Sequence, residues 1–129
     1  MEFQKYKFFL FTEDPDQLVH FYHDVLGFRI IKKLEFEADY GYTLEIAPGY
    51  EMWLAKHSEV HGFSKEPVRT MLNIYVDSVS TLYEKLKDRT DITFLQVPRA
   101  MSDFVPNETR YVLTLLDPEG NCMQFMGPN

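Results

Sequence analysis

The side chains in this 129-residue chain that could carry chemistry are few, and their spacing is loose. His20 and His23 stand three apart, a spacing that lets two imidazoles share a zinc ion if a third ligand joins them. They fall about 60° apart on a helix and on its polar side, with no third ligand beside them, so they read as surface histidines. His57 and His61 stand four apart around Glu59 and would converge only on a helical turn, which Gly62 and Pro67 oppose. Ser58, Ser64 and Ser102 lack the strand–turn–helix setting of a nucleophile elbow. The six glycines form no phosphate-binding loop. Cys122, the one cysteine, sits inside an apolar run and reads as a buried small hydrophobe rather than a nucleophile.

Composition narrows the partners. A net charge of −7 argues against nucleic acid, whose phosphates need a basic face. It suits solubility, or a cationic small molecule. Eleven Phe and eight Tyr supply flat apolar surface, usable in a core or in a pocket wall. A lone cysteine forms no intrachain disulfide, and with no signal peptide and no membrane-length apolar run the expected home is the cytoplasm.

The elements that must position these residues come in two similar sets. Tyr6 to Thr12 is aromatic and apolar and predicts a buried strand. Asp14 then caps a helix with Pro15 at its first position; Leu18, Phe21, Tyr22 and Val25 form its apolar stripe, and Gly27 ends it. Strands follow over 28–36, 42–46 and 51–55, joined by turns at 38–41 and at Pro48-Gly49. Residues 57–67 have no periodicity and form a linker between module one, 1–56, and module two, 68–129. The pattern then restarts. A strand over 70–76 leads to a helix capped at Asp77-Ser78, whose Val79, Leu82, Tyr83 and Leu86 repeat the first stripe. Strands over 92–97, 110–116 and 122–126 complete the set, with a loop over 99–107 and a type I turn at Asp117-Pro118-Glu119-Gly120. The fold class expected is α+β: two βαβββ modules pooling their strands into a curved, mixed, mostly antiparallel sheet, with helices on the convex face.

The run from Asp14-Pro15 to Leu26-Gly27-Phe28, together with Leu116-Asp117-Pro118-Glu119-Gly120-Asn121, resembles the vicinal-oxygen-chelate superfamily over nearly the whole chain. That group includes glyoxalase I, extradiol dioxygenases and bleomycin-resistance proteins. The resemblance implies the same fold and, in metal-dependent members, four inward His or Glu ligands from the first and last strands of each module. Counted from the turn motifs, those positions fall on Lys7, Trp53, Met71 and Gln124, with Glu45 and Glu51 near the position of Trp53. Lysine offers no lone pair and repels a cation, and an indole only donates.

The expected protein is therefore a metal-free, cofactor-free small-molecule binder of the bleomycin-resistance type, acting by sequestration rather than catalysis. The alternative is a glyoxalase-like lyase, epimerase or dioxygenase with a metal site built from other residues. Strand alternation places Phe9 and Phe11 with Lys7, and Asn73 and Tyr75 with Met71. With Trp53 and Gln124 these are the candidate ligand-binding residues, the polar ones being either pocket anchors or satisfied core groups. The ligand expected is cationic or aromatic. The resemblance also implies a homodimer, and no nucleic-acid or membrane partner is expected.

Overall fold

The computed structural model describes residues 1–129. The chain divides into two compact units, Met1–Gly62 and Phe63–Asn129, with the break inside the 57–67 segment. No helix is long and apolar enough to cross a membrane.

In unit one, β1 (Phe8–Thr12) leads into α1 (Pro15–Val19), and then β2 (Arg29–Phe36), β3 (Asp39–Ala47) and β4 (Tyr50–Lys56) follow. The sheet order is β1-β4-β3-β2, with β1 parallel to β4 and the other pairs antiparallel. The Asp14 carboxylate accepts from the Gln17 backbone N–H at 3.2 Å and caps α1, as its residue type predicts. Tyr40 and Tyr42 donate to Asp16 at 2.7 and 2.5 Å, which ties the helix start to one sheet face. That face, with Leu44, Met52 and Leu54 beneath Leu18, Phe21 and Tyr22, is the core of the unit.

Unit two repeats the order. Its elements are β5 (Met71–Tyr75), α2 (Val79–Leu86), β6 (Thr93–Ala100), β7 (Tyr111–Leu116) and β8 (Cys122–Gly127). The sheet order is β5-β8-β7-β6, again with a single parallel pair. Ser78 caps α2 by accepting from Thr81 N–H at 3.1 Å. Tyr83 meets Phe94 edge to face, which marks the helix-covered side of this sheet. Every strand ladder lies within one module, so the α+β repeat takes the form of two four-stranded mixed sheets.

Four sequence expectations are corrected. Tyr6 is 79% exposed and precedes β1, because the β1–β4 register opens at Phe8 and Met52 and leaves its ring without a cover. The first helix continues after Val19 as a π-helix over His20–Val25, with Leu26 N–H bonding Phe21 O at 3.0 Å. Glycine at 41 suggested a turn, yet β3 already runs from Asp39, and the missing Cβ serves a close approach to β4. The stretch expected as a loop from Arg99 begins as strand: Arg99 and Ala100 pair with Val112 and Tyr111, and Met101–Asp103 forms a 3₁₀ turn. Pro98 is tolerated there because β6 is an edge strand and its ladder is interrupted between Gln96 and Arg99.

Candidate functional site

In each sheet one face meets the helix, and period-two alternation turns the other residues away from it. In unit one that second face is built in rows across the strands. One row sets Phe9 of β1 beside Trp53 of β4, Thr43 of β3 and Lys32 of β2. The neighbouring row sets Glu51 opposite Glu45, and Glu45 opposite Arg29, with Lys7 just before β1 completing it. A third sets Phe11 beside Ala55 and Gly41. Alternation thus brings Lys7, Phe9, Phe11 and Trp53 onto one face.

Their environments differ. Trp53 is only 8% exposed, whereas its cross-strand neighbour Phe9 is 54% exposed. Phe9 meets Phe11 edge to face at 6.0 Å, and Phe11 is covered by the His57 ring at 5.1 Å. The Lys7 ammonium lies 3.4 Å from Thr43 Oγ1, to which it donates, and 3.6 Å from Glu51 Oε1. Arg29 closes on Glu45 at 3.1 Å. Both carboxylates near the expected metal position are therefore already paired with a cation of the chain itself.

Unit two carries the other four candidates. Asn73, Gln124, Thr114 and Gln96 form one row, and Met71 and Tyr75 flank Asn73 along β5. Tyr75 is 66% exposed, and the Arg110 guanidinium stands 5.7 Å from its ring. Arg110 is held by Glu108 through two 2.8 Å bonds. That guanidinium, with the Arg110 and Thr109 backbone N–H groups, holds the Glu108 carboxyl down to about 2. A depressed carboxylate pKa gives a contact that is complete above the ordinary glutamate range and is lost only as pH falls through the folded value. The Glu108 side-chain ¹³C resonance should therefore titrate with a midpoint near 2, and Arg110→Met should raise it toward the ordinary range, short of reaching it because the backbone N–H groups still donate.

These residues do not fit the metal implied by the family resemblance. Lys7 and Trp53 offer a divalent ion no lone pair, Met71 a thioether and Gln124 one neutral oxygen. No three His, Cys, Asp or Glu side chains come together to hold an ion. The histidines are engaged elsewhere: His20 meets Asp24 at 2.6 Å, His23 the Phe28 carbonyl at 2.7 Å, and His61 faces Glu13 at 3.4 Å. Cys122 is buried, which pushes its thiol pKa up, away from nucleophilic use. Asp117 spends a carboxylate oxygen on the Glu119 and Asn121 N–H groups of its own turn.

Sequence reasoning missed Thr43, Arg29 and Lys32 as members of the face. The alternation of β3 was visible, but nothing in it says which parity faces the helix. The bulge between Ile30 and Lys32, which shifts the parity of β2, has no residue signature.

A helix-backed βαβββ unit written twice defines the class of protein. A profile of the glyoxalase/bleomycin resistance protein/dioxygenase superfamily matches residues 6–125, and the chain belongs to that superfamily. Its fold is similar to the glyoxylase/bleomycin resistance protein/dioxygenase domain from Frankia sp. EAN1pec, at TM-score 0.76 and 15% identity, covering 100% of both chains. It is also similar to the fosfomycin resistance protein FosX from Listeria monocytogenes, solved with Mn(II) and sulfate, at TM-score 0.71 and 11% identity, over 100% of this chain and 95% of that one. A glyoxalase I mutant from Zea mays matches at TM-score 0.68 and 18% identity, over 92% of this chain and 43% of the plant chain. No curated protein matches significantly in sequence.

Proposed function

We propose that this protein binds a small molecule without a metal ion and without bond chemistry, as a sequestering member of its superfamily. The observation that carries the reading is the Lys7 ammonium, which stands 3.6 Å from Glu51, where metal-dependent relatives would need a ligand. An ammonium there repels a divalent ion, and any ion must also displace it from the carboxylate. Beside it, the exposed ring of Phe9 offers flat apolar contact surface, the usual lining of a ligand site. The buried, unreactive Cys122 agrees with a reducing cytoplasm.

The competing reading is a metal-dependent lyase, epimerase or dioxygenase. Its support is the cross-strand pairing of Glu45 and Glu51, two carboxylates on one face. Thermal unfolding with Zn²⁺, Ni²⁺, Fe²⁺ or Mn²⁺ separates the two readings. A specific ion at a hundredfold excess over Kd stabilises by about 2.7 kcal/mol. The expected result is no such gain. A gain of that size, removed by Glu51→Gln, overturns the metal-free reading.

The proposal includes a homodimer. Edge strands β1 and β5 carry the exposed rings of Phe9 and Tyr75, and uncovered edges invite pairing. Sedimentation at micromolar concentration should give twice 15.3 kDa, and a monomer there rejects this part of the proposal.

A further inference from the structure

We infer that Lys7 is the anchoring cation of the unit-one face, and that the ligand it takes is an aromatic acid: a flat ring carrying a carboxylate or similar acidic oxygen. The inference rests on the small-molecule reading above and names the chemistry of the molecule bound.

Three observations lead there. First, the Lys7 ammonium is poorly saturated. It has three donors, and its partners are Thr43 Oγ1 at 3.4 Å and Glu51 Oε1 at 3.6 Å, the second beyond good hydrogen-bond distance. Its side chain is 26% exposed, so the group is partly desolvated yet still reachable. A partly desolvated ammonium with a donor to spare gains most from an anionic oxygen. Second, the charge of the two rows is positive although the chain is acidic. Lys7, Arg29 and Lys32 share the face with Glu45 and Glu51, Lys32 standing opposite Thr43, and the Arg29–Glu45 pair is closed at 3.1 Å. What remains is Lys7 and Lys32 against Glu51, an excess that disfavours the cationic ligand expected from overall charge. Third, Phe9 lies one row along from Lys7 with its ring more than half exposed, so an acid bound at Lys7 has an aromatic surface to rest on.

The test uses two probes of matching shape and opposite charge, naphthoate and naphthylmethylammonium, titrated calorimetrically into the full-length protein. Naphthoate should bind about tenfold tighter than the cation. Lys7→Met should remove that preference, and Lys7→Arg should keep most of it. Glu51→Gln, which frees the ammonium from its competitor, should tighten naphthoate binding severalfold, a gain that damage to the fold does not produce. Equal or tighter binding of the cation overturns the inference and leaves the metal-free binding reading standing. So does naphthoate affinity unchanged in Lys7→Met. Failure of both probes to bind also overturns it, while the metal titration decides the broader reading on its own.

Discussion

Replacing Trp53 with alanine is expected to lower the unfolding free energy by about 3–5 kcal/mol, the range for emptying a buried aromatic site. Trp53 is 8% exposed in the middle of β4, with Phe9 on one side and Thr43 on the other. Strand β4 is central in its sheet, so its neighbours cannot move in without breaking two ladders. The same substitution at Phe9, its partner in the row, should cost only about 0.2–1 kcal/mol, the worth of a cross-strand pair, because that ring is already half in water. Urea unfolding of the two variants at unchanged m-value measures both. A Trp53→Ala cost below about 1 kcal/mol would show that the indole is not a core group. The contrast has a functional edge. The lone indole is held in the wall, whereas the ring available to a ligand is that of Phe9. Ligand binding on this face should therefore perturb Trp53 emission through a neighbour, and Phe9→Ala should weaken binding while leaving the fold intact.

How much of this was legible beforehand depends on the kind of signal each residue carries. Both helix starts were legible because capping is local: Asp14 and Ser78 sit within three residues of the N–H groups they satisfy. The repeat was legible because its stripes have the same spacing and its turn residues fall at fixed offsets. The site was only half legible. Alternation grouped Lys7 with Phe9 and Phe11, and Met71 with Asn73 and Tyr75, since period two is a property of one strand. It could not tell which ring would be buried, because Phe9 sits on an edge strand and Trp53 on a central one, and strand order is a tertiary fact. Nor could it show that Lys7 meets Glu51, since a contact 44 positions apart depends on the register between β1 and β4. The proposal of an acidic ligand rests on that contact together with the charges of the two rows.

Gly41 is a residue whose replacement should do large damage for a single added atom. A Cβ there would fall inside the contact distance of the Leu54 carbonyl oxygen and 2.6 Å from Ala55 Cα, both of them backbone atoms of the central strand. Backbone cannot swing aside as a side chain can, so Gly41→Ala must push β3 off β4 where Gly41 pairs with Ala55. The expected cost is about 3 kcal/mol, the upper end of overpacking penalties. Gly49 supplies the control. Its φ is +82 and a Cβ there meets nothing within 4 Å, so Gly49→Ala should cost only about 1–2 kcal/mol from the left-handed backbone alone. If the two variants unfold at the same denaturant concentration, the close approach of β3 to β4 is wrong. The consequence reaches the site because Gly41 shares a row with Ala55 and Phe11, next to the row of Trp53 and Phe9. Two small residues at that point leave the surface beside Phe11 low. A displaced β3 also carries Thr43, the one hydroxyl that holds the Lys7 ammonium. Gly41→Ala should therefore weaken naphthoate binding even in the fraction of molecules that remains folded, and Gly49→Ala should not.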